Sequence, residues 1–209
     1  MRYNTIITAI SAVALAEATT QPPANPGIKT ELPDGYKLEQ MIWRGTVENG
    51  GPEVSFNGTI EDVTRQIQGV KRDFTWDAYP QDIQARGNQL QERGSKTGII
   101  CNVGGESTYG PYTTNAQDSG NKLSELGGTC GVGSGPRVCA VLTCTRNAAV
   151  WLCNDNDHPI APPCSSLASY VDDIVGACGK TYDHGSKYCR GQEFDSDGYN
   201  VIVGWKDHC

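Results

Sequence analysis

Cys164-Ser165-Ser166-Leu167-Ala168-Ser169-Tyr170-Val171-Asp172-Asp173-Ile174-Val175-Gly176-Ala177-Cys178 is the stretch on which the fold turns. Cys164, Leu167, Val171, Ile174, Val175 and Cys178 recur at the spacing that sets side chains on one helical face. Pro162-Pro163 stands before them, where a missing backbone N–H costs nothing. A cysteine at each end of an apolar stripe predicts a helix bolted by disulfides to the sheet that it covers.

The partners of this helix are predicted on either side. Arg137 to Cys144 is an apolar strand, Thr145-Arg146-Asn147 a turn, and Ala148 to Cys153 the return strand. Tyr199 to Val203 is a closing strand, and Gly98 to Cys101 an earlier short one. Thr114 to Leu126 is a second helix, capped by Thr114 and ended by Gly127-Gly128. Two helices and several short strands in this order predict an α+β fold, a disulfide-rich two-layer α/β sandwich with an antiparallel sheet.

All nine cysteines lie beyond residue 100, so residues 36–96 form a cysteine-free N-terminal extension or pro-segment ahead of the cysteine-rich domain at 97–209. In the extension, Gln40 to Val47 and Val54 to Phe56 read as strands around the turn cluster Asn49-Gly50-Gly51-Pro52. Thr59, with Asp62 three residues on, reads as the N-cap of a helix that carries Ile60, Val63, Ile67 and Val70 on one face. Gln81 to Arg93 is polar and weakly helical. About sixty residues with few aromatics make a thin core, so the extension is expected to pack on the cysteine-rich part or to be removed.

Residues 1–16 read as a signal peptide: Arg2, an apolar run from Thr5, and the small-x-small signal Ala14-Leu15-Ala16. Residues 17–35 are a Pro-, Thr- and Ala-rich linker. The expected location is therefore extracellular, where cysteines form disulfides. There is no CxxC pair, and His158, His184 and His208 have no ligand-spaced neighbour, so no metal or cofactor is expected. An odd count leaves one thiol that is free or paired with a second chain or a partner. A net charge of −7 disfavours phosphate backbones, so nucleic acid is not expected as a partner.

Smaller motifs carry possible chemistry. Asn57-Gly58-Thr59 is a glycosylation sequon at Asn57. Lys71-Arg72 is a dibasic processing site or two solvated charges at a helix end. Asn154-Asp155-Asn156-Asp157 and Asp195-Ser196-Asp197-Gly198 supply clustered oxygens, and turn chemistry explains both. No G-x-S-x-G elbow is present, and the nearest thiol–imidazole pair, Cys189 with His184, sits mid-loop. The chain is therefore expected not to be an enzyme, with a hydrolase using Asp155, Asp157, Asp195 and Asp197 as the alternative. Trp151 is expected in the core and Trp205 at the surface as a possible target contact.

The cysteine-rich half resembles the KP4 killer toxin family and its fungal KP4-like secreted relatives over about residues 98–209. The resemblance rests on motifs in shared order: Gly98-Ile99-Ile100-Cys101-Asn102, Ser119-Gly120-Asn121, Cys130-Gly131 and Arg137-Val138-Cys139. It continues through the helix from Cys164 to Cys178-Gly179, then Gly191-Gln192, then Tyr199 to Val203 leading to Cys209. It implies a compact α/β sandwich and a secreted toxin, in the founding member a calcium-channel blocker, with other members candidate virulence factors. It also implies the pairs Cys101–Cys178 and Cys130–Cys164, with Cys209 joined to Cys139 or Cys144. A hairpin about Arg146 sets Cys139 opposite Cys153 and so favours Cys144 for Cys209; Cys189 is then left over, or replaces Cys139 as the partner of Cys153. The chain departs from the family in having nine cysteines rather than ten and in being acidic rather than basic. Arg137, two residues before Cys139, is its one match to a basic residue tied to activity in the family. The expected function is thus a secreted KP4-like toxin or virulence effector binding an unknown protein, membrane or cell-wall target. The alternatives are the hydrolase and a wall-associated structural protein. A monomer is expected, with a disulfide-linked dimer open through the odd cysteine.

Overall fold

The computed structural model describes residues 32–48, 50–79, 94–103, 110–181 and 185–209. The predicted leader at 1–16, most of the predicted linker, the polar stretch 81–93 and His184 lie outside the described residues.

The strands are β1 (Lys37–Glu39), β2 (Ile42–Thr46), β3 (Glu53–Asn57), β4 (Lys96–Cys101), β5 (Thr129–Gly131) and β6 (Val138–Thr145). They continue with β7 (Ala148–Asn154), β8 (Lys180–Thr181), β9 (Lys187–Tyr188), β10 (Gly191–Asp195) and β11 (Tyr199–Trp205). The helices are α1 (Ile60–Val70), α2 (Thr113–Ser124) and α3 (Ala168–Cys178), and a 3-10 turn at Cys164–Leu167 leads into α3. The fold is α+β and disulfide-rich. A six-stranded sheet runs β1-β6-β7-β11-β10-β4, a three-stranded sheet runs β3-β2-β5, and β8 pairs with β9.

β7 is the centre of the large sheet, and all seven of its residues are buried. Its near-continuous Ala-Ala-Val-Trp-Leu-Cys run suits a strand covered on both faces. It returns from β6 through Arg146 and Asn147, both at positive φ (46° and 68°), as the mirror-image turn of a tight hairpin requires. β6 carries a bulge between Val141 and Thr143. The bulge sets both Leu142 and Thr143 on the helix side of the sheet, so Leu142 joins the main core and Thr143 reaches α1.

That main core joins sheet, helices and extension. Ala140, Leu142, Val150, Leu152, Val201 and Val203 from the sheet meet Leu123 of α2 and Val171 and Ile174 of α3. The same cluster holds Met41, Trp43, Ile60, Val63, Ile67, Phe74 and Tyr79 of the extension. A smaller cluster of Cys139, Ala149, Trp151, Cys153 and Ile202 lies on the opposite face, with Leu32 and Tyr36 packed against it.

The extension is thus part of the sandwich. β1 pairs in parallel with β6, Lys37 opposite Val138, so the sheet is mixed rather than purely antiparallel. β2 pairs antiparallel with β5, Trp43 opposite Cys130. The extension also brings its own predicted helix, α1, to the two helices of the cysteine-rich half. Thr59 caps α1 in a full capping box with Asp62, worth about 1 kcal/mol. Three of its four predicted apolar residues are buried; Val70, in the last turn, is 76% exposed instead.

Two helix starts differ from expectation. α2 begins one residue early, with Tyr112 in the capping position and no side-chain cap, so Thr114 is already inside the helix. α3 opens with the 3-10 turn after Pro163; its buried face includes Tyr170 as well as Cys164, Leu167, Val171, Ile174 and Cys178, and the predicted Val175 is only half-buried. Beyond α2, a Cβ at Gly127 would collide with the ring of Tyr79, and one at Gly128 (φ +78°) with the carbonyl of Arg44. α2 itself ends at Ser124 with Glu125 as its C-cap, short of the predicted Gly127-Gly128 stop, and the Gly-Gly pair instead lets the extension approach.

Candidate functional site

Four disulfides frame the molecule. Cys101–Cys178 and Cys130–Cys164 fix the two ends of the α3 segment, with Cα–Cα distances of 5.3 and 5.0 Å. Cys139 and Cys153 face each other across β6 and β7 and are bonded, Cα–Cα 4.0 Å. Of the two partners left open for Cys209, Cys144 is the one bonded. Cys189 is the unpaired cysteine and is buried, which pushes its thiol up to about 12.

The two Asx clusters meet at one corner. Asn154 is fully buried and donates to the carbonyls of Gly133 and His158, at 2.8 and 2.7 Å. Asn156 donates to the carbonyls of Asp197 and Gly198. Asp155 accepts from Asn200 at 2.8 Å, and Asp157 is solvated beside His158 at 3.0 Å. Asp195 is buried and accepts from the backbone N–H of Asp197 and from Tyr170. Of the four aspartates of the hydrolase alternative, Asp155, Asp157 and Asp195 have carboxylates in local bonds, and Asp197 joins the corner through its backbone N–H and carbonyl. Among the described residues no group of three or more His, Cys, Asp or Glu is placed to hold a metal ion.

Next to this corner lies a titratable cluster that sequence reasoning missed. The Tyr170 hydroxyl donates to Asp195 at 2.5 Å and lies 3.0 Å from the Tyr199 hydroxyl. Burial raises the Tyr170 pKa, and its bonds to Asp195 and Tyr199 raise it further. Lys96, on edge strand β4, sits 2.5 Å from Asp173 and 3.8 Å from Glu193, over the Tyr170 ring at 4.6 Å. Glu193 is 3% exposed, and its Oε2 lacks a hydrogen bond. Burial pushes its carboxyl up to about 7; Lys96 opposes the shift, and Asp173 and Asp195 add to it. The available signal was alternation. Gly191, Glu193 and Asp195 fall on one face of β10, and Gly191 lies against Ile174 and Cys178 of α3.

A groove of about 390 Å³ runs between α1 and the end of α2. Trp76 and Ile60 supply its apolar part, and Glu61, Arg65, Lys122 and Glu125 are among its polar residues. Burial disfavours the charge of Glu61, but bonds from Thr143 (2.6 Å) and Lys122 (3.0 Å) outweigh it and lower the pKa.

The remaining predicted residues are scattered. Arg137 is exposed at φ +60°, just before β6. Trp205 ends β11, half-buried, and donates to Asp207 at 2.8 Å. Asn57 is exposed at the end of β3. Arg72 is exposed, while Lys71 is half-buried and 3.8 Å from Glu48. Among the described residues no helix is long and apolar enough to cross a membrane. No family model matches the chain, and neither a curated protein nor a solved structure does.

Proposed function

We propose that this chain is a secreted KP4-like protein that acts as a toxin or virulence effector by binding an extracellular or membrane target. The observation that carries this reading is the double anchoring of the α3 segment, Cys164 to Cys130 and Cys178 to Cys101. Both pairs are ones that the family resemblance implies. Four disulfides suit an oxidising compartment, which supports export and the leader at residues 1–16. Binding is favoured over catalysis because the carboxylates of Asp155, Asp157 and Asp195 are each held in local bonds. Hydrolysis through Asp155, Asp157, Asp195 and Asp197 has less support, since these residues serve turns and local bonds. The net charge of −7 favours a basic target over the acidic mouth of a calcium channel. Arg137, Trp205 and the groove beside Trp76 are the proposed contact features.

The test is to apply purified protein to fungal and plant cells and to their membrane and wall fractions. Growth inhibition or saturable binding, lost on reduction and alkylation, is the expected result. Protein that neither inhibits any of these cells nor binds any fraction overturns the reading.

A further inference from the structure

We propose that Glu193 is the proton-binding element of an acid-strengthened corner, which holds edge strand β4 against α3 below neutral pH and loosens it above. The corner's geometry rests on one lysine shared by two carboxylates of very different exposure. Asp173 is half-exposed and holds Lys96 at 2.5 Å, whereas Glu193 is buried and reaches the same ammonium only at 3.8 Å. The groups facing Glu193 are Lys96 from β4, Asp173 and Tyr170 from α3, and Asp195 from its own strand. Tyr199, from β11, closes the cluster through Tyr170. Lys96 is the single cation among them.

With its proton, Glu193 is neutral, and Lys96 serves Asp173 alone. Without it, a buried carboxylate with an orphaned oxygen stands near Asp173 and Asp195 and draws on a lysine already engaged. The cost falls on the start of β4. Lys96 is the first residue of that strand, which among the described residues lies at the edge of the sheet and is paired only with β10. Ser95, just before it, exchanges two bonds with Ser196: its N–H donates to the Ser196 Oγ at 2.9 Å, and its carbonyl accepts from the Ser196 N–H at 3.0 Å. That corner is where Lys96 is gripped or released. The direction of the carboxyl's titration, raised by burial and by its acidic neighbours to about 7, agrees with this geometry.

The test follows the Glu193 carboxyl by 13C NMR and the β4 amides by hydrogen exchange. The expected titration midpoint is near 7, against the ordinary value of 4.5. Asp173→Asn should lower the midpoint, because it removes a like charge and frees Lys96; Lys96→Met should raise it. Exchange protection of β4, corrected for intrinsic rates, should fall at least about tenfold between pH 5 and pH 8 in the unaltered protein. In Glu193→Gln it should stay at its acid level. A Glu193 midpoint in the ordinary carboxylate range overturns the proposal, as does a Glu193→Gln protein whose β4 protection still falls with pH. Should Glu193→Gln fail to fold, the carboxyl titrations of the unaltered and Asp173→Asn proteins decide the matter.

Discussion

The indole N–H of Trp43 donates to the carbonyl of Gly127 at 2.9 Å, across 84 residues of sequence. Trp43 is fully buried, packed against Phe56 and Trp76, with the residue after Gly127 also pressed on its ring. One side chain thereby ties the cysteine-free extension to the end of α2. Trp43→Ala should cost about 3–5 kcal/mol, the usual range for a buried tryptophan. Urea unfolding of the oxidised protein measures it. A loss below about 1 kcal/mol would show that the extension is only loosely attached.

The dibasic pair is poorly placed for cutting in the folded state. The Lys71 N–H is held by the Ile67 carbonyl, the Phe74 N–H by the Lys71 carbonyl, and Phe74 is buried. A kexin-type protease should cut the unfolded chain much faster than the folded one. A molecule nicked after Arg72 should run as two bands on a denaturing gel yet elute as one body, held by β1 on β6 and β2 on β5. Separation of the pieces on native chromatography would contradict the shared core.

Asn57 and Thr59 share a sequon, but only Thr59 works in the fold, through the capping box. Asn57→Gln should remove any attached glycan and leave unfolding unchanged within about 0.5 kcal/mol. Thr59→Ala should remove the glycan and also cost about 1 kcal/mol. Mass spectrometry and denaturant midpoints read the two effects separately.

Cys189 is 2% exposed. Iodoacetamide at pH 8 should label no site in the native protein and one site after unfolding without reductant. Rapid native labelling, or a disulfide-linked dimer on a non-reducing gel, would show that the thiol is reachable.

Stability should peak in mildly acid solution. Glu193 has a raised folded pKa, so the native state binds the extra proton between pH 4.5 and about 7, and stability falls as pH rises through that window. Glu61 and Asp62 have lowered folded values, so their contribution is present above their ordinary range and lost as pH falls through it. Melting temperature should be highest near pH 5 and lower by several degrees at pH 8, on the order of 5–10 °C. Glu193→Gln should flatten the alkaline side alone. A profile that rises steadily from pH 5 to pH 8 would contradict this.

The parts of the fold legible in the sequence are those written in local periodicity. The α3 stripe, the hairpin from Val138 to Asn154 and the Thr59 cap each follow from residues within one or two turns of one another. The docking of the extension was not legible, because it depends on Trp43 meeting Gly127 and Tyr79 meeting the same glycine. Thr114 misled because a good capping residue also sits comfortably inside a first turn. The titratable corner was hidden for a different reason. Lys96, Tyr170, Asp173 and Glu193 belong to three elements far apart in sequence, and a glutamate in a strand reads as solvent-facing until a helix is known to cover it. The Asx clusters were legible as turns, and their meeting at one corner was not.

The four disulfides have a consequence for covalent connectedness. The bond from Cys139 to Cys153 is nested within that from Cys130 to Cys164, and both lie within the span from Cys101 to Cys178. Cys144–Cys209 starts inside the innermost loop and ends outside all three. Every peptide bond between Cys101 and Cys209 is therefore bypassed by at least one sulfur bridge. A single scission anywhere in that span frees no fragment, whereas the chain ahead of Cys101 has no such bypass. In an environment rich in foreign proteases, the oxidised half stays one covalent object after a first hit, and the half that precedes it depends on packing alone.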